Sequence, residues 1–103
     1  MPRRAARKDG NHAALRDLWT RMGGSWLDLV PIEKGTPDAL LGFRGADQLA
    51  EVKDPDQPAC KRKLRPGQVE WHRQWRGRPV VKLETARDLE ALAATLACPS
   101  SRP

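Results

Sequence analysis

Two short segments of alternating apolar residues, joined by a glycine turn, constrain the fold more than any other feature of this sequence. Asp38 to Arg44 and Asp47 to Lys53 show the alternation, and Gly45-Ala46 lies between them. The pattern predicts a β-hairpin. Successive strand side chains point to opposite faces, so one hairpin face is suited to a core: Ala39, Leu41, Phe43, Ala50 and Val52.

The opposite face of the hairpin collects charged side chains at its open end. Glu51 and Lys53 share this face because they are two residues apart. With the turn centred on Gly45-Ala46, Asp38 is expected across from Lys53 and diagonal to Glu51. Two carboxylates and an ammonium then converge. A surface ion pair between Lys53 and either carboxylate is the alternative interpretation.

Such a group of charges has the chemistry of a phosphodiester-hydrolysing site. Carboxylate oxygens bind Mg2+ at about 2.1 Å, and the ion lowers the pKa of a water and neutralises charge on the phosphate. The Lys53 ammonium can position the attacking water, help to deprotonate it and oppose the charge of the transition state. Pro37 fixes the backbone before Asp38. Leu40-Leu41 and Leu49-Ala50 indicate buried strands, which favours a functional site over a surface ion pair.

The remaining pattern predicts an α/β domain with the element order αβββαβα and a small mixed sheet flanked by helices. Its other elements are a helix from about Asn11 to Met22, a strand over Trp26 to Ile32, a helix over Gly67 to Trp75, a strand over Pro79 to Leu83, and a last helix with a capping-box-like Thr85 and Asp88. Asp54 to Pro66 has three prolines and is expected to be a long loop. We expect one domain over residues 11–97, with flexible segments over 1–10 and 98–103.

Charge is concentrated in one part of the chain. The net charge is +6, and seven basic residues but only one acidic residue, Glu70, lie between Lys61 and Arg78. A local basic patch is typical of a nucleic-acid-binding surface, and a merely solvated charge run is the alternative. The residues that we expect to contact phosphate are Lys61, Arg62, Lys63, Arg65 and Arg73.

Several classes of protein are disfavoured by composition. The sequence has no apolar run close to the roughly 20 residues of a membrane span, and no apolar stretch follows its basic start as in a secretion signal. Cys60 and Cys98 are too few for a disulfide scaffold and lack the spacing of a zinc site. With 103 residues, we expect one small domain in a cytoplasmic, reducing setting.

Three runs of the sequence together resemble the PD-(D/E)xK nuclease superfamily, and in particular its VRR-NUC branch with small phage and prophage relatives. They are Gly35-Thr36-Pro37-Asp38-Ala39-Leu40-Leu41-Gly42, Leu49-Ala50-Glu51-Val52-Lys53-Asp54 and Leu64-Arg65-Pro66-Gly67-Gln68-Val69-Glu70-Trp71-His72. The resemblance covers roughly residues 9–96. It implies a restriction-endonuclease-like core.

The resemblance also implies roles for individual residues. Asp38 and Glu51 would bind Mg2+ or Mn2+ together with the Val52 carbonyl, and Lys53 would be the catalytic lysine. Gln68 matches the glutamine that opens the helix after the basic loop. Independently, Gln68 shares a helical stripe with its apolar neighbours and should face the sheet, although a capping or surface role is the alternative.

Many family members supply a glutamate from the first helix, and this sequence departs from that pattern. Asp9 or Asn11 can stand in for it, but both are good helix caps, and capping is the favoured interpretation. Trp71 and Trp75 can stack on exposed bases, but aromatic residues at helical spacing favour core packing. His72 is expected to be packed or to face DNA rather than to act as a general base.

The resemblance predicts a divalent-metal-dependent DNA endonuclease, selective for branched DNA such as Holliday junctions or flaps, in recombination or repair. Its relatives often work as homodimers in a bacterial host cell or a phage-infected cell. Two alternatives remain open. One is a nuclease with a different substrate geometry, and the other is a DNA-binding module that keeps the nuclease fold without turnover.

Overall fold

A four-stranded sheet, with strands in the order β1-β2-β3-β4, organises the computed structural model, which describes residues 10–29 and 33–97. The elements are α1 (His12–Arg21), β1 (Ser25–Asp28), β2 (Ala39–Phe43), β3 (Ala46–Val52), α2 (Ala59–Arg62), α3 (Pro66–Gln74), β4 (Val81–Leu83) and α4 (Ala86–Ala97). Strands β1 to β3 are antiparallel neighbours, and β4 pairs parallel to β3. The predicted α/β class and small mixed sheet are therefore confirmed.

The core lies on one face of the sheet, against α1 and α4. The predicted apolar face of the hairpin is confirmed, because Ala39, Leu41, Ala50 and Val52 are buried and Phe43 packs against them. Further buried members of the core are Leu15, Trp19, Leu83, Leu89, Leu92 and Leu96. With this face filled, the opposite face of β2 and β3 is left to carry the site.

The predicted centre of the hairpin turn is wrong. The turn residues are Arg44 and Gly45, with φ angles of 50° and 85°, and Phe43 pairs with Ala46. A two-residue turn with two positive φ angles matches the twist of the strands, and glycine accepts this conformation at little cost. The partner of each β2 residue thus moves by two positions, which changes the register but preserves the faces.

Two other boundaries differ from expectation. Strand β1 ends at Asp28 among the described residues, and residues 30–32 of the predicted strand lie outside them. The predicted loop over residues 54–66 contains the helical turn α2. The predictions for residues 1–9 and 98–103 also fall outside the described part of the chain.

None of the helices in the described ranges is long and apolar enough to cross a membrane.

Candidate active site

Asp38 and Glu51 come together at the open end of the β2–β3 hairpin. Ala39 pairs with Ala50, so continuing the register by one residue places Asp38 opposite Glu51. The prediction that Asp38 faces Lys53 is wrong because it assumed the later turn. Burial, and then the negative charge of Asp38, raises the pKa of Glu51 to about 8, although Lys53 acts in the opposite direction.

The backbone hydrogen-bond ladder between β2 and β3 ends near Pro37. Pro37 lies just before Asp38, outside the paired residues of β2, which begin at Ala39. Proline has no N–H, so it cannot donate a ladder hydrogen bond. The Val52 N–H donates to Asp38 Oδ2, at 2.8 Å. This bond holds the Asp38 carboxylate beside β3.

Gln68 bridges the two charged residues of β3 and its following turn. Its Nε2 donates to Glu51 Oε2 at 2.5 Å, and its Oε1 accepts from Lys53 Nζ at 3.3 Å. Lys53 Nζ also lies 3.8 Å from Glu51 Oε2, and both residues are buried. Gln68 therefore faces the sheet. It also has the alternative capping role, because its Oε1 accepts from the Arg65 N–H at the start of α3.

The loop before Asp38 is packed closely against α3. Gly35 has a φ of 91°, and a Cβ at this position would collide with the Gly67 carbonyl. Trp71 Nε1 donates to Glu33 Oε2 at 2.8 Å from the same helix. These contacts join the loop before Asp38 to α3, the helix that carries Gln68. The position of Asp38 is therefore fixed relative to Gln68.

The donor set of this site fits a hard divalent cation. Glu51 Oε1 is buried and has no hydrogen-bond partner among the described residues. Together with Asp38 and the Val52 carbonyl, it offers oxygen ligands, which Mg2+ and Mn2+ prefer. Within residues 10–29 and 33–97, no group of three or more His, Cys, Asp or Glu is arranged to hold a metal ion. Mg2+ commonly takes one or two carboxylates and completes its octahedron with waters and substrate phosphates.

The favoured capping role for Asn11 is wrong. Asn11 is the N-cap residue of α1, yet within the described chain its side chain makes no capping hydrogen bond. Its Nδ2 donates to the Lys53 carbonyl at 3.1 Å and to the Glu84 carbonyl at 2.8 Å. These longer-range partners tie α1 to the ends of β3 and β4, and the buried Oδ1 is unpartnered in the described structure. Asp9 lies outside the described residues.

The predicted phosphate-binding residues fall into two groups. Lys61, Lys63 and Arg65 are exposed. In contrast, Arg62 is half-buried, with its Nη1 3.7 Å from Glu84 Oε2 and its Nε donating to the Gln57 carbonyl. Arg73 pairs with Glu70 on the outer face of α3, with Nη2 and Oε2 2.6 Å apart. Their contact with DNA stays a prediction.

Two residues of the β4 segment were missed by the sequence reasoning. Lys82 is in register with Glu51 and therefore shares its face of the sheet, and its Nζ lies 3.5 Å from the Arg62 carbonyl. Glu84 follows directly and pairs with Arg62. The alternation Val81-Lys82-Leu83-Glu84 carried a signal for the shared face, but the parallel pairing of β4 with β3 was needed to interpret it.

The aromatic residues of α3 are more exposed than core packing predicts. Trp75 is 44% exposed and Trp71 is half-buried, and the two indoles stack with their centroids 5.1 Å apart. His72 is half-buried, which agrees with a packed side chain, and burial and then the charge of Lys53 lower its pKa.

Comparisons with protein-family models, curated proteins and solved structures found no match.

Proposed function

We propose that this protein is a divalent-metal-dependent DNA endonuclease with a PD-(D/E)xK core. The observation that carries the proposal is the cluster of Asp38, Glu51, Lys53 and Gln68 on the face of the hairpin opposite the core, in which Glu51 and Lys53 are buried and Asp38 is half-buried. Burying these charges costs stability. A buried carboxyl group with a raised pKa, such as Glu51 beside a charged partner, is typical of functional sites.

The residues present would hold Mg2+ or Mn2+ through Asp38, Glu51 and the Val52 carbonyl. When bound, the ion would lower the pKa of a water and neutralise charge on the scissile phosphate. In hydrolysis, a water oxygen bonds to phosphorus, one phosphorus–oxygen bond to the sugar breaks, and a proton reaches the departing oxygen. Lys53 places its ammonium where it opposes the negative charge of that transition state, and Gln68 orients both Lys53 and Glu51.

The substrate is proposed to be branched DNA, such as a Holliday junction or flap, gripped by the exposed basic residues beside the site. Phosphate contacts of this kind position a duplex without reading its sequence. Paired cleavage of a junction requires two active sites, which a symmetric homodimer would supply. A DNA-binding module without turnover is the competing function, and cleavage assays separate the two.

The decisive experiment uses labelled four-way junction, flap, single-stranded and plain duplex DNA with Mg2+, Mn2+ or EDTA. Wild type is compared with Lys53→Ala and with Arg87→Ala, which removes an exposed cation from α4, a helix on the core side of the sheet. We expect metal-dependent cleavage by wild type and Arg87→Ala, and a loss of about 100-fold or more in Lys53→Ala.

Two results would contradict parts of the proposal. Normal cleavage by Lys53→Ala would show that the site is wrong. Binding without cleavage under every metal would instead support the DNA-binding module and end the assignment of an enzyme.

A further inference from the structure

A cavity on the same sheet face as the carboxyl pair is walled by an indole. It has a volume of about 220 Å³, and its lining includes Leu40, Leu49, Trp75, Asp47 and Arg78. Leu40 and Leu49 are paired in the sheet and are two residues from Asp38 and Glu51, respectively, so they lie on the face that carries the site. At about 3.3 Å per strand residue, the cavity floor is about 7 Å from the carboxyl pair.

The aromatic wall is built from two stacked rings. The planes of Trp71 and Trp75 are inclined by only 14°, and Trp75 remains 44% exposed. Trp71 is held in turn by its hydrogen bond to Glu33. A supported but exposed indole offers a flat surface for stacking without much loss of side-chain entropy on binding.

Charged residues of both signs lie at the cavity. Arg76 and Arg78 are exposed and follow Trp75 directly, and neither makes an ion pair with another described residue. Asp47 and Arg78 both line the cavity, and both are exposed. The Asp47 carboxylate can accept a hydrogen bond from a base amino group. The arginines can contact the phosphates on either side of that base.

We propose that this cavity binds an unpaired nucleobase of the DNA strand held at the site. The inference rests on the proposed function and adds a substrate class to it, namely DNA with single-stranded or unstacked nucleotides. Leu40 and Leu49 contact the base from the sheet, the Trp75 indole stacks on it, and Arg76 and Arg78 neutralise the flanking phosphates.

The test measures binding in EDTA, so that it does not depend on cleavage. A fluorescently labelled single strand and a blunt duplex of the same sequence are titrated with wild type, Trp75→Ala, Trp75→Phe and Val69→Ala. Val69 is a matched control because it is an exposed apolar residue of α3 that does not line the cavity. Thermal unfolding of each variant checks that the fold is retained.

We expect Trp75→Ala to weaken single-strand binding by roughly 5- to 150-fold, the effect of losing one stacked base. Trp75→Phe should restore part of the affinity. Duplex binding, and both affinities of Val69→Ala, should change by less than about twofold, because stacking in the cavity requires an unpaired base.

Three results overturn the inference, and they can be told apart from failure of the proposed function. Unchanged single-strand binding by folded Trp75→Ala, or an equal loss for single strand and duplex, rejects the base-binding cavity while leaving the nuclease proposal intact. If wild type binds neither DNA, both proposals fail together.

Discussion

Gln68 Nε2 donates a hydrogen bond to Glu51 Oε2 across a distance of 2.5 Å. The amide oxygen of the same side chain accepts from Lys53, so one neutral side chain bridges a carboxyl group and an ammonium group. The free protein thus keeps Glu51 oriented while its Oε1 stays available. A site that is arranged before substrate arrives needs little reorganisation in the reaction.

Gln68→Met should lower cleavage by about 10- to 100-fold and raise the Mg2+ concentration needed for half-maximal rate. Methionine preserves the side-chain volume but can neither donate to Glu51 nor accept from Lys53, so both groups lose their orientation. Initial rates over a Mg2+ titration measure the effect.

Gln74→Met is the matched control, because Gln74 is an exposed glutamine of the same helix that bonds Glu70. Its metal titration should follow that of wild type. An unchanged titration for Gln68→Met would restrict Gln68 to capping α3.

In EDTA, the free energy of unfolding should contain a component that falls as pH rises from about 4.5 to 8. The folded pKa of Glu51, about 8, lies above its ordinary value of 4.5, so in this window the folded state holds a proton that the unfolded state releases. The slope from this group is at most about 1.4 kcal/mol per pH unit. Urea unfolding of wild type and Glu51→Gln at several pH values measures it, and the glutamine variant should lose this component.

His72 contributes with the opposite sign. Burial lowers its pKa below 6.5, so stability is lost as pH falls through the range between the unfolded and folded values. This contribution is common to both proteins and cancels in their difference. Glu90→Gln, a change on the exposed face of α4, should keep the wild-type profile. An identical profile for Glu51→Gln would contradict the raised pKa.

The side-chain faces of the hairpin were predictable because strand alternation is a local property. The residue pairs were not, because they depend on which two residues form the turn. The apolar pattern is the same whether the turn is Arg44-Gly45 or Gly45-Ala46, and the difference decides whether Glu51 or Lys53 lies opposite Asp38.

Long-range contacts were beyond the sequence reasoning. A helix-starting asparagine suggests capping, yet Asn11 bonds carbonyls 42 and 73 residues away. Similarly, helical spacing indicated a packed Trp75, but spacing alone does not reveal that the sheet face beneath α3 leaves an open cavity. Both outcomes depend on how the elements assemble.

Asn11→Ala should lower the free energy of unfolding by about 1–3 kcal/mol, because two partly buried carbonyls lose their donor. It should also reduce cleavage, since one of those carbonyls belongs to Lys53. Urea unfolding and initial rates provide the two readouts. Thr20→Ala, on the exposed side of α1, is the control. A variant as stable as wild type would show that the two bonds contribute nothing.

Neutralising Lys61, Arg62 and Lys63 together as glutamines should flatten the salt dependence of DNA binding. Each phosphate that the protein no longer neutralises reduces the slope of log K against log salt by about 0.9. Most of the change should come from Lys61 and Lys63, because Arg62 is already engaged by Glu84 and the Gln57 carbonyl. Fluorescence anisotropy on a four-way junction at several salt concentrations measures the slope.

The double variant Lys61→Gln/Lys63→Gln separates these contributions from the packing role of Arg62. Arg87→Gln, which removes an exposed charge from α4, is the control for net charge and should keep the wild-type slope. If the double variant keeps that slope but Arg87→Gln does not, the phosphate-binding surface lies on α4, because only residues that release counterions from DNA alter the salt dependence.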